Sequence, residues 1–362
     1  MAFFTDLNNS SNSITAEKPR ETFGPRSKLR TGAVYGFIHF SVEVVSFYFL
    51  FSRVSTGPYW WVMALLFDAL AFLPQGFFGI ITDRYPNFNI GLTGALMMTG
   101  ALLIPFDFPA LLVLCLGNAM IHVSGAQQTL RGAKGKITPN ALFIGAGSFG
   151  VITGQLLGSI SAAALVVLPL ALMAASIIAM VRIHRLADLQ QESVTFRISA
   201  DRPIPLIVLL AFIGVIVRGY IAYAIPTEWN KSVVQAVALF LCMGIGKTLG
   251  GVLCDRIGFR RVTFLSLLGG LPFLLAGNRL MLLSLIGVAL FSMTMPVTVG
   301  ILASAFPKRP GFAFGITTTG LFLGSAPAFF IRPQTLPAHQ ITVLILTAVA
   351  LPATILCIKK GR

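Results

Sequence analysis

The stretch that decides the fold reads GGVLCDRIGFRR, covers residues 250–261 and lies between two long apolar runs. It contains the acidic Asp255, the helix-breaking Gly258 and the basic pair Arg260 and Arg261. A soluble domain has little reason to place so many charges between two apolar segments. A membrane protein has one, because Lys and Arg collect in the cytoplasmic loops that join neighbouring spanning helices. The stretch therefore predicts a cytoplasmic turn between two transmembrane helices.

The chain repeats this arrangement after about 170 residues, and such an internal repeat predicts two similar halves. A weaker copy, GIITDRYP, covers residues 79–86. Three glycines of the first half recur at the same interval: Gly145, Gly150 and Gly154 correspond to Gly315, Gly320 and Gly324. Small residues at such spacing let helices approach closely. The spacing is explained by static packing faces, and the family resemblance described below implies the alternative, sliding faces between the halves.

The pattern Gly-x-Leu-x-Asp-Arg-x-Gly-x-Arg-Arg resembles the cytoplasmic signature loop of the major facilitator superfamily. The resemblance implies an all-α polytopic membrane protein with twelve transmembrane helices in two pseudo-symmetric six-helix bundles. It also implies a gating motif made of Asp83, Arg84, Gly251, Asp255, Arg256, Gly258, Arg260 and Arg261. In the family, the aspartate docks against the N-terminus of another helix and holds one access state closed. The first copy has Pro86 and lacks the basic pair, so we expect its contact to be weaker.

The composition agrees with a membrane protein. Hydrophobic residues make up 56% of the chain and charged residues 11%, which is too apolar for an ordinary soluble domain. The net charge of +15 follows the positive-inside rule, since only Arg53, Lys231, Arg279 and Arg332 fall in loops on one side. This asymmetry explains the basicity without a nucleic-acid partner. It predicts a multi-pass protein of the plasma (inner) membrane with both termini in the cytoplasm.

Apolar stretches of about 20 residues predict six helices in each half. The predicted organisation is a disordered basic cytoplasmic tail at 1–31, an N-terminal bundle at 32–182, a cytoplasmic central loop at 183–203, a C-terminal bundle at 204–358 and a cytoplasmic tail at 359–362. The four cysteines show no paired Cys-x-x-Cys spacing, so we predict neither a disulfide nor a metal site. We also predict no cofactor, and a monomer in the lipid bilayer.

Four ionisable residues fall inside predicted helices: Glu43, Asp68, Arg218 and Lys247. Each costs about 2.5–3.5 kcal/mol if it faces lipid at a helix centre, so such residues mark a substrate or ion pathway. Glu43 and Arg218 lie at similar depths on equivalent helices of the two halves. We hypothesise that protonation of Glu43 releases Arg218 to an anionic substrate. The alternative is a permanent salt bridge between the halves.

Other polar residues extend this candidate site. His39 lies one helical turn before Glu43, where it either joins a proton relay or is a hydrogen-bonded packing residue. Asn118 and His122 share one face of the fourth helix and are candidates for orienting the substrate. Asp68 is a second candidate proton site. Lys247 either binds an anionic group or extends its amine towards the membrane surface.

These patterns predict a secondary-active transporter of a small organic solute, coupled to protons and selective for a solute with an anionic group. No nucleotide-binding loop or catalytic triad is present in the sequence, so we do not predict an enzyme. A drug or metabolite antiporter is one alternative, in which Glu43 and Asp68 meet cationic amphiphiles. A second alternative, of another class, is a non-transporting membrane sensor or assembly partner that kept the fold.

Overall fold

The computed structural model describes residues 25–131, 135–160, 166–186, 193–194, 196, 198, 201–224, 228–331 and 336–359. Twelve apolar helical segments run through these residues. In chain order they are α1 (Pro25–Phe49, extended by the π-helical Leu50–Val54), α2 (Trp60–Arg84), α3 (Ile90–Leu103), α4 (Asp107–Arg131), α5 (Thr138–Ser159), α6 (Val167–Leu186), α7 (Ile204–Ala224), α8 (Val233–Ile257), α9 (Phe259–Ala276), α10 (Met281–Ala305), α11 (Pro310–Phe329) and α12 (Leu336–Ile355).

Ten of these segments are long and apolar enough to cross a membrane, and α3 and α6 are shorter apolar helices. The predicted set of twelve membrane helices is therefore confirmed. Several are interrupted within the span. Helix α2 breaks between Phe72 and Gln75, at Pro74, which has no N–H to donate to the preceding turn. This break separates the segment carrying Asp68 from the segment carrying Asp83.

The predicted tail at 1–31 is too long at its C-terminal end. Helix α1 begins at Pro25, so residues 25–31 are helical, and the assignment of these residues to a disordered tail is wrong. Proline suits the first turn of a helix because its missing N–H would have no intrahelical acceptor there. Residues 1–24 lie outside the described part of the chain, as do residues 360–362 of the predicted C-terminal tail.

The described part of the central loop is held against the second half. The backbone N–H of Val194 donates to the carbonyl oxygen of Pro307 at 2.8 Å. The N–H of Lys359 donates to the carbonyl of Ile198 at 2.9 Å, so the chain beyond α12 also contacts this loop. The loop residues that the structure describes are thus attached by backbone hydrogen bonds to the ends of α10 and α12.

Equivalent helices pack in equivalent ways in the two halves. Helix α1 packs on α5 as α7 packs on α11, and the halves meet where α5 contacts α8 and where α2 contacts α11. This arrangement agrees with the repeat found in the sequence. The face of the molecule that carries Asp83 and Asp255, at the ends of α2 and α8, is called the signature face below.

The glycine series divides between two kinds of contact. Gly145 of α5 lies against α8, and Gly315 of α11 lies against α2, so both lie between the halves. The later glycines pack inside one half: Gly150 and Gly154 lie against α1, and Gly320 and Gly324 lie against α7. Five positions along a helix correspond to a rotation of about 140°, which turns the later glycines away from the first. The sliding-face hypothesis is therefore wrong for the later glycines.

Candidate functional site

The four ionisable residues of the membrane helices lie in one region between the halves. The acids Glu43 and Asp68 belong to α1 and α2, and the bases Arg218 and Lys247 belong to α7 and α8. Glu43 acts electrostatically on both Asp68 and Lys247, and Arg218 acts on Lys247. The first half thus presents negative charge and the second half positive charge at the centre of the molecule.

The guanidinium of Arg218 is buried without a complete set of acceptors. The residue is 7% exposed, and its Nε and Nη2 atoms have no hydrogen-bond partner among the described residues. A buried donor that lacks an acceptor costs about 1–3 kcal/mol, and more when the group is charged. Two neighbouring guanidinium N–H groups match the two oxygens of a carboxylate or phosphate. Arg218 therefore keeps two N–H donors for which the described residues supply no acceptor.

Lys247 is the second cation of the region and crosses between the halves. Its Nζ donates to the Oγ of Ser148 in α5 at 2.8 Å. An ammonium group has three N–H donors, and this bond uses one of them. The amine is therefore directed to the interface with the first half.

The carboxylate of Glu43 contacts two histidines instead of an arginine. Its Oε1 lies 3.3 Å from Nε2 of His39 and 3.1 Å from Nε2 of His122. A Glu43–Arg218 salt bridge is not formed among the described residues. The pair on which the protonation hypothesis and its alternative, a permanent salt bridge, both depend is therefore absent in this structure. Sequence reasoning placed His39 beside Glu43 but assigned His122 to a separate substrate-binding pair.

Helix α5 fixes the position of His39. The Nδ1 of this histidine donates to the carbonyl of Phe143 at 2.6 Å, and the Phe143 ring stacks on the imidazole with centroids 4.6 Å apart. Gly147, one turn further, leaves room for the imidazole, because a Cβ at this position would lie 2.5 Å from the ring. The sequence pattern did not indicate that Phe143 positions His39, because a backbone carbonyl and an apolar ring carry no recognisable motif.

Asn118 and Asp68 have different environments. The amide of Asn118 is buried and donates to the Oγ of Ser46 at 3.0 Å, which joins α4 to α1. Asp68 is half-buried, and no hydrogen bond acts on its carboxyl group within the described residues. The substrate-orienting role of Asn118 stays a prediction. The carboxyl group of Asp68 therefore has no hydrogen-bond or ion-pair partner among the described residues.

On the signature face, Asp83 docks at the start of α11. Its carboxylate accepts hydrogen bonds from the backbone N–H groups of Gly311 at 3.1 Å and Phe312 at 2.8 Å. Two side chains of α4 also donate to it: Gln127 at 2.9 Å and Arg131 at 3.2 Å. The carboxylate is thus held by the positive end of a helix of the second half and by a cation of its own half.

Asp255 makes the equivalent contact with the start of α5. It accepts from the backbone N–H groups of Ile137 and Thr138, both at 2.9 Å, and from the Thr138 hydroxyl at 2.5 Å. Gly258 follows with φ of 90°, a conformation that favours glycine, and this residue turns the chain from α8 into α9. Gly251 lies against Ala141 of α5, where a Cβ would collide.

The basic residues of the motif lie around these contacts. The guanidinium of Arg84 lies over the Tyr85 ring at 5.8 Å, and that of Arg260 lies over the Phe264 ring at 6.0 Å. Arg256 and Arg261 are exposed. The structure thus brings both aspartates of the predicted gating motif to contacts between the halves, and places these arginines at the surrounding surface.

Two equivalent six-helix halves with paired docking contacts on one face are an arrangement known from solved membrane-protein structures. Solved structures agree. The human organic anion transporter MFSD10 (TETRAN) superposes with a TM-score of 0.65 at 14% identity, covering 91% of this chain and 99% of that chain.

The transporter FucP in its outward conformation superposes with a TM-score of 0.60 at 14% identity, covering 91% of this chain and 99% of that chain. A variant of the E. coli fucose:proton symporter FucP gives a TM-score of 0.56 at 15% identity, covering 91% and 98%. No protein-family model and no curated protein matches the sequence. The chain has the fold of the major facilitator superfamily transporters.

Proposed function

We propose that the protein is a secondary-active transporter that moves a small organic solute with an anionic group by alternating access. The observation that carries this proposal is the buried guanidinium of Arg218, whose Nε and Nη2 have no acceptor among the described residues. A carboxylate of the solute supplies both acceptors at once. Two halves that rock about a central site then expose it to each side of the membrane in turn.

The surrounding charges support an anionic solute. Arg218 acts electrostatically on Lys247, so an anion placed near both relieves the repulsion between the buried Arg218 and the half-buried Lys247. Glu43 forms no ion pair with Arg218 among the described residues, because its carboxylate lies against two histidines. The similar fold of a protein described as an organic anion transporter is consistent with this chemistry.

Asp68 is our candidate for proton coupling. Its carboxyl group has no hydrogen-bond or ion-pair partner among the described residues. Two titratable groups interact with it electrostatically: Glu43 of α1 and Cys115 of α4. Helix α11, which also packs on this part of α2, carries no titratable residue. Protonation neutralises Asp68 and lowers its repulsion for an arriving anion. The coupling role predicted for Glu43 and His39 stays a prediction.

We further propose that the chain is a monomer in the plasma (inner) membrane with both termini in the cytoplasm, so that the signature face is cytoplasmic. The basic residues of this face support the orientation. The access route is then closed on the cytoplasmic side by the contacts of Asp83 and Asp255.

Ligand-induced stabilisation of the purified protein tests the anion proposal. A panel of organic carboxylates, phosphates and cationic amphiphiles is screened by thermal unfolding at two pH values. A ligand at 100 times its Kd stabilises by about 2.7 kcal/mol. We expect stabilisation by anions that is lost in Arg218→Gln and kept in Arg53→Gln. Arg53 is the matched control, because this arginine pairs with Asp107 away from the central site.

The other outcomes separate the alternatives. Stabilisation by cationic amphiphiles alone, lost in Asp68→Asn, would replace the anion proposal with the antiporter alternative. A folded protein that binds no member of the panel and moves none into liposomes would favour the sensor or assembly partner.

Uptake into liposomes tests the coupling. With an imposed pH gradient, we expect Asp68→Asn to lose uphill accumulation of the solute while exchange of labelled for unlabelled solute continues. Uphill accumulation that persists in this variant contradicts the role of Asp68.

A further inference from the structure

We propose that His39, Glu43 and His122 form a binding site for one divalent transition-metal ion such as Zn²⁺. The three side chains offer two imidazole nitrogens and one carboxylate oxygen, all within 4.8 Å of one another. They come from α1 and α4, two helices of the first half. The inference concerns the ligand of this cluster and does not depend on which solute is transported.

Two distances within the cluster match those around a tetrahedral ion. Nitrogen and oxygen ligands bind Zn²⁺ at about 2.0–2.2 Å, so neighbouring ligand atoms lie about 3.3 Å apart. The Oε1 of Glu43 lies 3.3 Å from Nε2 of His39 and 3.1 Å from Nε2 of His122. The two Nε2 atoms lie within 4.8 Å of each other, so the third distance allows one ion to be bound by all three atoms after the imidazoles adjust.

The tautomers of both histidines are fixed by backbone carbonyls. The Nδ1 of His39 lies 2.6 Å from the carbonyl of Phe143, and the Nδ1 of His122 lies 2.9 Å from the carbonyl of Asn118. A carbonyl oxygen only accepts, so each Nδ1 carries the proton. The neutral imidazoles then present lone pairs at both Nε2 atoms. An Nδ1–H bonded to a carbonyl behind a free Nε2 is the arrangement that orients metal-binding histidines.

Without a cation, these lone pairs and the carboxylate oxygen of Glu43 face one another. The two imidazole rings lie with centroids 4.5 Å apart, in side chains that are 9% and 6% exposed, so three lone-pair donors are buried side by side. A divalent ion accepts a lone pair from each of the three ligand atoms while both imidazoles stay neutral.

The donor set also selects the kind of ion. Two imidazoles and one carboxylate suit Zn²⁺, Co²⁺, Ni²⁺ and Fe²⁺, whereas Mg²⁺ and Ca²⁺ prefer oxygen ligands alone. Three protein ligands leave a fourth tetrahedral position for water or for an anionic group. The prediction of no metal considered only cysteine spacing. It missed this site because the ligands are distributed over two helices.

Metal binding to the purified full-length protein tests the inference directly. The protein is treated with a chelator, and metal content, thermal stability and affinity are then measured with Zn²⁺, Co²⁺, Mg²⁺ and Ca²⁺. We expect one Zn²⁺ or Co²⁺ per chain, a higher Tm with either ion, and no change with Mg²⁺ or Ca²⁺. Bound Co²⁺ should show the visible spectrum of a four-coordinate site with nitrogen and oxygen ligands.

Variants locate the ion. Glu43→Gln and His122→Gln should each weaken binding at least about 100-fold, and His339→Gln, a distant histidine of α12, should not. Gly147→Ala displaces the His39 ring without removing a ligand. We expect it to weaken binding by about 10- to 100-fold, as loss of an orienting contact does.

Three results would overturn the inference. The first is unchanged affinity in both ligand variants. The second is a Co²⁺ spectrum with sulfur charge-transfer bands, which would assign the ion to a cysteine. The third is binding of Zn²⁺ no tighter than that of Mg²⁺ in the wild-type protein. None of these measurements uses transport, so a failure here is distinguishable from failure of the proposed function.

Discussion

The two docking aspartates make the same contact in different surroundings. Asp83 and Asp255 each accept hydrogen bonds from the first N–H groups of a helix in the opposite half. Asp83 also accepts hydrogen bonds from the buried side chains of Arg131 and Gln127, whereas Asp255 accepts one more hydrogen bond from the Thr138 hydroxyl. The expected weakness of the first copy is not visible in these contacts. Its cation comes from α4, so the missing basic pair in the loop does not leave Asp83 unsupported.

Of the substitutions that test the two docking contacts, Asp83→Ala should have the largest effect on the signature face. It removes the carboxylate from the contact with Arg131, whose side chain is 5% exposed, and breaking a buried pair costs about 3–5 kcal/mol. We expect the signature face to open, measured as faster labelling of an introduced cysteine there by a water-soluble thiol reagent. Asp201→Ala is the control, because that exposed carboxylate pairs with Lys359 on the surface. Equal labelling in the two variants would contradict the prediction.

Asp255→Ala should open the same face by a smaller amount. It removes the acceptor of two backbone N–H groups and a hydroxyl but breaks no ion pair with a buried cation among the described residues. We therefore expect the contact to lose about 1–3 kcal/mol of stability. The measurement is the same labelling rate, compared with that of Asp83→Ala. An effect larger than that of Asp83→Ala would show that the second copy dominates closure.

Gly79→Ala tests the close approach that the first docking contact requires. A Cβ at Gly79 collides with the backbone of Gly311, which cannot move aside as a side chain can. Overpacking of this kind costs about 1–3 kcal/mol, and we expect it to destabilise the closed face in thermal unfolding. Gly76→Ala, three residues earlier on α2, is the matched control, since a Cβ there meets no atom within 4 Å. Equal melting temperatures for the two variants would disprove the steric role.

Thr138→Val should have the smallest effect. The substitution keeps the shape of the side chain and the two backbone N–H donors but removes the hydroxyl that Asp255 accepts. A single hydrogen bond contributes about 0.5–1.5 kcal/mol, or somewhat more to a charged acceptor. We expect a small rise in labelling at the signature face that is absent when Asp255 is already alanine. An additive effect in the double variant would mean that the hydroxyl acts elsewhere.

The sequence predicted the helices, the duplicated halves and the two docking aspartates, because these follow from hydrophobicity and from local motifs. It did not predict that His122 joins Glu43, since contact between two helices depends on their rotation about their axes. The rotation of each helix about its axis is set by packing against its neighbours. The glycines at the contact between α1 and α5 fix the rotation of α1 only when the two helices already lie side by side. The same reason hid Arg131, which supports Asp83 from a different helix.

The burial of the Asp83–Arg131 pair has a consequence for ionic strength. Dissolved salt screens exposed charges beyond a Debye length of about 8 Å at physiological concentration but reaches buried pairs much less. Both side chains of this pair are 5% exposed, whereas those of the surface pair Lys359–Asp201 are 46% and 89% exposed. The contact between Asp83 and Arg131 therefore keeps its strength over a wide range of salt concentration, and the surface contact between Lys359 and Asp201 weakens as the salt concentration rises.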